Sequence, residues 1–175
     1  MRETGEPLAM NLDSIEDLKA QGFVGFKPIK ELRADCSCIP KIKGVYLFLR
    51  PEPNAAPDFV ALGTGGHFKG KDPNVSLEIL TANWVQNRLI VYIGKAGGGG
   101  KNATLHSRLQ QYIRFGLGKP VGHWGGRYIW QLKDAAELTV CWKTLPDDEP
   151  SLVESDLIRQ FSQSFGQRPF ANLKD

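Results

Sequence analysis

The sequence predicts an α+β domain in which a small antiparallel or mixed β-sheet is flanked by helices. Residues 44–50 and 89–94 carry the alternating, or the β-branched and aromatic, patterns of strands. Residues 104–115 and 147–165 instead repeat apolar side chains every three or four positions, which is the period of an amphipathic helix. The chain has 175 residues, a length that fits one domain.

The first 40 residues are interpreted as an N-terminal extension that packs on a core domain of residues 41–175. Asp13 and Ser14 precede an Ile-Glu-Asp-Leu run, an N-cap pattern that predicts a short helix. A loop with glycine turns is predicted from there to about residue 34. The amino-terminal residues lack the hydrophobic stretch of a secretory signal, so we expect the protein to be cytoplasmic.

The first core strand, Gly44–Arg50, is followed by a segment of different composition. Residues 51–87 are rich in proline, glycine, aspartate and asparagine, which indicates loop structure, and a short helix is predicted within Leu77–Asn87. We interpret 51–87 as an insertion between adjacent strands of the sheet. The core is then expected to fold without it.

Four further elements follow the second core strand. A helix with one apolar ridge is predicted from Thr104 to Phe115. The segments Arg127–Leu132 and Leu138–Leu145 are rich in β-branched, aromatic and other apolar residues and predict strands. A last helix begins at Asp147–Pro150, where acidic residues lie at the positive end of the helix dipole and proline lies where its missing N–H is harmless.

Composition limits the classes of function. No apolar run approaches the roughly 20 residues needed to cross a bilayer, so no membrane partner is expected. The net charge of +3 permits a polyanionic partner without requiring one. Three cysteines predict no disulfide framework. A zinc site built from Cys36, Cys38 and either His67 or His123 is a weaker alternative to reduced thiols, because Cys-Ser-Cys lacks the usual zinc-ligand spacing.

Two charged residues lie on apolar helix faces. Glu154 precedes Leu157 and Ile158 by three and four residues, so its carboxylate shares their side of the helix, where a charge is costly unless it is compensated. Arg108 borders the apolar ridge of the preceding helix. A carboxylate suits a hard cation and a guanidinium suits phosphate oxygens, which together fit phosphodiester chemistry. The alternative for each is a side chain that packs its stem on the core and reaches solvent.

Two tripeptides then suggest a family. Gly44-Val45-Tyr46 on the first strand and Tyr92-Ile93-Gly94 on the second resemble the paired motifs that name the GIY-YIG nucleases. The run Tyr92–Ala96, followed on the next helix by Arg108 and by Tyr112 one turn later, is similar to the pattern that follows the second motif in that family.

The later part of the chain continues the resemblance. Glu154 matches the metal-binding glutamate that the family carries on a later helix. The segment 168–174 resembles the closing segment that supplies the family's asparagine, here Asn172. The resemblance covers about residues 44–174, with the elements in the family's order.

Membership implies a small antiparallel sheet with flanking helices and a DNA endonuclease activity that uses one divalent ion, Mg²⁺ or Mn²⁺, held by Glu154. The resemblance places in the site Tyr46, Tyr92, Lys95, Arg108, Tyr112, Glu154 and Asn172. A tyrosine or Lys95 would assist removal of a proton from the attacking water, and Arg108 would stabilise charge on the phosphate. Tyr112 would support that arginine. Asn172 would fix one end of the site or serve only as a polar cap.

Two classes of function follow from the sequence. The first is a DNA endonuclease, and the second is a module that keeps the fold and binds DNA or protein without cleaving. No appended DNA-reading domain is recognisable, so selectivity would come from residues 1–40, from the insertion or from the partner in a homodimer. A backbone-binding surface could include basic residues interspersed with aromatic ones: Lys101, Arg114, Lys119 and Arg127, with Trp124, Tyr128 and Trp130.

Overall fold

Four antiparallel strands form the centre of the protein, which is seen here in a computed structural model that describes residues 12–173. In spatial order the strands are β1 (Val24–Pro28), β4 (Thr139–Thr144), β2 (Gly44–Leu49) and β3 (Ile90–Ala96). The helices are α1 (Ile15–Ala20), α2 (Ile29–Ala34), α3 (Leu77–Asn83), α4 (Leu105–Gly116) and α5 (Pro150–Phe165). The expected α+β class with a small antiparallel sheet is confirmed.

Both faces of β2 are buried, and each face packs against a different helix. Tyr46 and Phe48 point to the side covered by α4, where its ridge residues Leu105 and Leu109 are inaccessible to solvent. The alternate residues of β2 point to the other side, where α5 contributes Phe161. The period-two pattern of the strand therefore separates two cores, because successive side chains of a strand point to opposite faces.

The ends of α4 and α5 explain where these helices lie. Thr104 and Ser107 form a capping box that supplies partners for N–H groups in the first turn of α4. Pro150 begins α5, and Gly166 ends it with the left-handed conformation that glycine adopts without strain. No helix within residues 12–173 is long and apolar enough to cross a membrane.

The predicted strand at Arg127–Leu132 is wrong. Residues Arg127–Gln131 form a 3₁₀-helix, and a second 3₁₀-helix spans Ala135–Glu137. Tyr128, Ile129 and Trp130 are consecutive and all buried, which a strand with one solvent-facing side does not provide. Aromatic and β-branched composition alone misled the prediction, because packing against the surrounding core decides the local conformation.

The amino-terminal part also differs from the expected single helix and loop. It contains α1, the edge strand β1 and α2 between residues 15 and 34. The strand was missed because Gly25 and Phe26 have positive φ angles and a bulge interrupts its pairing with β4. Residues 1–11, which belong to the proposed extension, and Lys174 of the closing segment lie outside the described residues.

Residues 51–87 connect the adjacent strands β2 and β3 and pack tightly on the rest of the domain. Gln131 donates to the carbonyls of Val60, Ala61 and Val75 and accepts from the Val75 N–H at 2.9 Å. Gln131 is 1 % exposed. Its four bonds therefore join residues 60–61 and residue 75 of the segment to the 3₁₀-helix without competition from water. Phe59 and Trp84 also pack on Phe170 near the C-terminus. Removal of residues 51–87 would expose these groups, so a thermal melt of the shortened protein tests the expectation that the core folds without the insertion.

Replacing Gln131 by methionine tests this attachment. The variant keeps the side-chain length but leaves the Val75 N–H and three carbonyls without their partner, so we expect the free energy of unfolding to fall by about 2 kcal/mol. Gln110→Met is the matched control, since Gln110 is exposed on α4, and its effect should stay within about 0.5 kcal/mol. Urea denaturation measures both. Equal stability of the two variants would show that the segment is only loosely attached.

Candidate active site

An open groove of about 1410 Å³ lies beside β3, at the edge of the sheet. Its walls are the 3₁₀-helical region at residues 124–128, one face of α5 and the segment 166–173 that follows α5. The end of α3, at Ala82 and Asn83, also borders it. The groove is the place where the second tyrosine motif, the glutamate helix and the closing segment meet.

Tyr46 and Gly94 form a close pair across β2 and β3. The two residues are opposite each other in the strand register, and the tyrosine ring lies over the glycine. A Cβ atom at position 94 would be 2.3 Å from Tyr46 Cζ, which no other residue could tolerate without displacing the ring. The glycine of the second motif is therefore required by the tyrosine of the first.

Tyr92 lies beside Tyr46, with their ring centroids 6.1 Å apart. Tyr92 lines the groove, whereas Tyr46 is 1 % exposed and lies behind it. Gly126 makes this arrangement possible on the opposite side, because a Cβ there would be 2.7 Å from Tyr92 Cζ and its φ angle is +79°. Two glycines on different elements thus admit the tyrosine rings.

The electrostatic surroundings of both hydroxyls are set by Glu154 and Arg108. Burial, and after it the Glu154 carboxylate, raise the pKa of Tyr92, whereas the Arg108 guanidinium and hydrogen bonding with Tyr46 lower it; the net pKa is about 12. Burial, and after it the neighbouring Tyr92, raise the pKa of Tyr46 well above its usual value. Both tyrosines therefore keep their protons at neutral pH in the protein alone, so they can donate hydrogen bonds.

Arg108 is half-buried on α4 and faces the loop that precedes the first 3₁₀-helix. One terminal nitrogen donates to Gln111 Oε1 at 2.9 Å and to the Gly122 carbonyl at 3.3 Å. Its charge acts on both tyrosine hydroxyls and on His123. It is a charged group close to the tyrosines, but it is not among the residues that line the groove.

Tyr112 contacts the same loop rather than Arg108 itself. Its hydroxyl donates to the Gly126 carbonyl at 2.5 Å, and its ring lies 5.5 Å from the ring of Tyr92. Because the loop also accepts from Arg108 at Gly122, Tyr112 supports the arginine only indirectly.

Lys95 contacts helix α5, and Asn172 contacts the backbone of β3, at the edge of the site. Lys95 Nζ donates to Ser151 Oγ at 2.7 Å, in the first turn of α5 and one turn before Glu154. Asn172 uses both ends of its amide: Oδ1 accepts from the Ile93 N–H at 2.9 Å, and Nδ2 donates to the Ile93 carbonyl at 2.8 Å. Asn172 also lines the groove next to Tyr92. Lys95 does not line it.

Glu154 is half-buried on α5 and is the acidic side chain that lines the groove. Within the described residues no group of three or more histidine, cysteine, aspartate or glutamate side chains could hold a metal ion. The alternative zinc site at Cys36 and Cys38 is therefore not assembled, and both thiols are free. The donor set that remains is one carboxylate in an open groove.

Sequence reasoning missed the role of His123 in this arrangement. The imidazole is fully buried, stacks on Tyr112 with centroids 4.0 Å apart, and neither ring nitrogen has a hydrogen-bond partner within residues 12–173. Burial, and next the Arg108 guanidinium, lower the pKa of His123 well below its usual value. No pattern around His123 signals this, because its neighbours belong to the preceding helix α4.

Comparisons of the chain with protein-family models, with curated proteins and with solved structures find no match. The case for a function therefore comes from the side chains themselves. Their arrangement brings Tyr46, Tyr92, Arg108 and Glu154 within electrostatic range of one another, with Tyr112 and Asn172 in the surrounding layer. Lys95 is directed to the start of α5.

The buried imidazole predicts a pH dependence of stability. The pKa of His123 is lower in the folded than in the unfolded chain, so below about pH 6.5 the unfolded chain binds a proton that the folded chain does not. Stability should then fall with falling pH, by up to about 1.4 kcal/mol per pH unit from this group. In His123→Phe, which keeps the stacking on Tyr112, this contribution should be absent. Urea denaturation between pH 5 and 7.5 measures it.

A second substitution separates titration from packing. His123→Asn should share the flatter pH dependence of the phenylalanine variant while being less stable at every pH, because it loses the stacked ring. If all three proteins lose stability equally on acidification, the pKa of His123 does not differ between the folded and unfolded states.

Proposed function

We propose that the protein is a divalent-metal-dependent DNA endonuclease of the GIY-YIG type, which hydrolyses phosphodiester bonds. The observation that carries the proposal is that Tyr92 from β3 and Glu154 from α5 line one groove, with the Arg108 guanidinium of α4 close enough to act on the Tyr92 hydroxyl. A tyrosine, a guanidinium and a carboxylate are the groups expected for orienting a phosphate and a cation. The fit of Tyr46 over Gly94 gives the two sequence motifs a common structural reason.

The single carboxylate fits the chemistry of Mg²⁺ or Mn²⁺. Mg²⁺ keeps several waters and is usually bound by one or two carboxylates together with substrate phosphates, so a cage of protein ligands is not required. Glu154 would hold the ion from its place in the groove wall. When bound, the ion supplies charge neutralisation at the scissile phosphate.

The residues around Glu154 would bind the phosphate and assist transfer of the proton. Tyr92 carries its proton at neutral pH and can donate a hydrogen bond within the groove. A cation at Glu154 would oppose the effect of the carboxylate on Tyr92 and favour loss of that proton. Arg108 would exchange its contact with Gly122 for phosphate oxygens. Lys95 of β3, whose ammonium contacts Ser151 at the start of α5, would assist removal of a proton from the attacking water. Tyr46 would fix the position of Tyr92.

A catalytically inactive binding module is the second candidate. The contacts that favour it are those that hold Arg108 on Gln111 and on the Gly122 carbonyl, away from the residues that line the groove. In an endonuclease these contacts must open when substrate binds. In a binding module they remain, and Arg108 is a structural residue. Plasmid nicking by the wild type separates these cases, and variants of the two charged residues then test the roles of the groups.

Glu154→Gln keeps the shape of the side chain and removes its charge. We expect this variant to lose nicking of supercoiled plasmid. It should also lose the rise in melting temperature that we expect Mg²⁺ to give the wild type. A ligand that binds only the folded state stabilises it by about 1.4 kcal/mol at ten times Kd. DNA binding should persist, because it depends on positive groups. Melting curves with and without Mg²⁺, plasmid nicking and a gel shift give the three readouts.

The control for that experiment is Glu137→Gln, which removes an exposed carboxylate paired with Lys30 outside the groove. It should nick plasmid as the wild type does and keep the response to Mg²⁺. A wild-type nicking rate in Glu154→Gln would mean that Glu154 does not hold the ion and that the proposed site is wrong at its centre.

Arg108→Ala should abolish cleavage and leave folding nearly intact, and Arg108→Lys should restore little of the rate. A planar fork addresses two phosphate oxygens at once, whereas an ammonium acts as a point charge. Arg114→Ala is the matched control, because Arg114 is an exposed arginine on the same helix. The measurements are plasmid nicking and a thermal melt. Near-normal cleavage by Arg108→Ala would show that the arginine has only a packing role and that it does not stabilise the phosphate.

A further inference from the structure

More positive than negative side chains line the groove. Arg127, Arg159 and Arg168 line it, and Glu154 is the acidic residue among the described residues that do so. The whole chain carries a net charge of only +3, so a local excess of two positive charges is a marked concentration. A cleft lined by one sign of charge concentrates its field and attracts ligands of the opposite charge.

The three arginines come from different elements around the groove. Arg127 belongs to the 3₁₀-helix, where its guanidinium packs on the rings of Trp124 at 4.6 Å and Tyr128 at 5.4 Å. Arg159 is on α5, and Arg168 follows the end of that helix. The groove is thus bounded by positive groups on both sides of Glu154, with aromatic rings holding one of them in place.

The arginines on the α5 side keep donors for a ligand. Arg168 uses one terminal nitrogen to donate to the Leu173 carbonyl at 2.9 Å, out of the five N–H donors of a guanidinium. Arg159 pairs with Asp156 at the surface, where its side chain is 67 % exposed. An exposed ion pair contributes only about 0–1 kcal/mol, so an anion can compete for the guanidinium.

The dimensions suit an extended polyanion rather than a single small anion. On α5 the residues facing the groove run from Glu154 to Ser162, which spans about 12 Å along the helix axis. Phosphates of one DNA strand follow one another at about 3.4 Å along the duplex axis. A length of about 12 Å therefore accommodates more than one phosphate of a strand along this face of the helix.

We propose that one strand of a DNA duplex lies along the groove, with its phosphates held by Arg127 on one wall and by Arg159 and Arg168 on the other. The phosphate between them lies at Glu154 and Tyr92. This assignment rests on the proposed function, since it places the scissile phosphate of that reaction. It also excludes the exposed residues Arg114 and Lys119 from the path of the strand, although the sequence offered them as backbone contacts.

Salt dependence of binding tests the path. The probe is a fluorescently labelled 20-base-pair duplex, titrated with protein in EDTA over a range of salt concentrations, so that cleavage does not interfere. Arg159→Ala and Arg168→Ala should each weaken binding and reduce the slope of log K against log salt by about 0.9, the value for one lost phosphate contact. Arg114→Ala and Lys119→Ala, which remove charges outside the groove, should leave the slope unchanged.

The outcomes separate this inference from the proposed function. If the groove variants lose slope but the wild type never nicks plasmid with Mg²⁺ or Mn²⁺, the binding path stands and the endonuclease proposal fails. If the wild type nicks plasmid and only the Arg114 and Lys119 variants lose slope, the endonuclease stands and the path is wrong. Tighter binding of a 20-base-pair RNA duplex than of the DNA would also overturn the assignment of the partner.

Discussion

The packing of Tyr46 over Gly94 is the contact on which the candidate site depends. It fixes the register of β2 against β3, because only glycine leaves room for the ring at that position. The same register places Tyr92 two residues away on the same face, where Gly126 admits it from the other side. Interiors are close-packed and transmit small displacements, so an added methyl group at position 94 would act on residues that it does not touch.

Charged side chains surround the two tyrosine rings at two distances: some act on the hydroxyls, and others line the groove. Close to the hydroxyls, Glu154 and Arg108 act in opposite directions on the pKa of Tyr92. Farther out, the groove is rich in arginine and contains one carboxylate. The groove therefore presents both signs of charge, with positive groups in excess around one carboxylate.

The sequence anticipated the parts of the fold that depend on local periodicity. The strands β2 and β3 and the helices α4 and α5 have clear periods and clear caps, and they carry all seven residues proposed for the site except Asn172. The elements that were missed or misassigned depend on distant contacts. The strand β1 has positive φ angles and a bulge opposite β4, and the 3₁₀-helix at Tyr128 is decided by burial on all sides. The burial of His123 could not be predicted, because it depends on α4 and not on its own neighbours in sequence.

The amide of Asn172 has an effect beyond the site it borders. β3 is at the edge of the sheet, and an edge strand exposes unpaired N–H and C=O groups that can recruit a strand from another molecule. Asn172 occupies both groups of Ile93, and the Ala171 N–H occupies the carbonyl of Val91. The segment after α5 thus bonds to the backbone of β3 as a neighbouring strand would. It closes one side of the sheet to self-association while it leaves Tyr92 open to the groove.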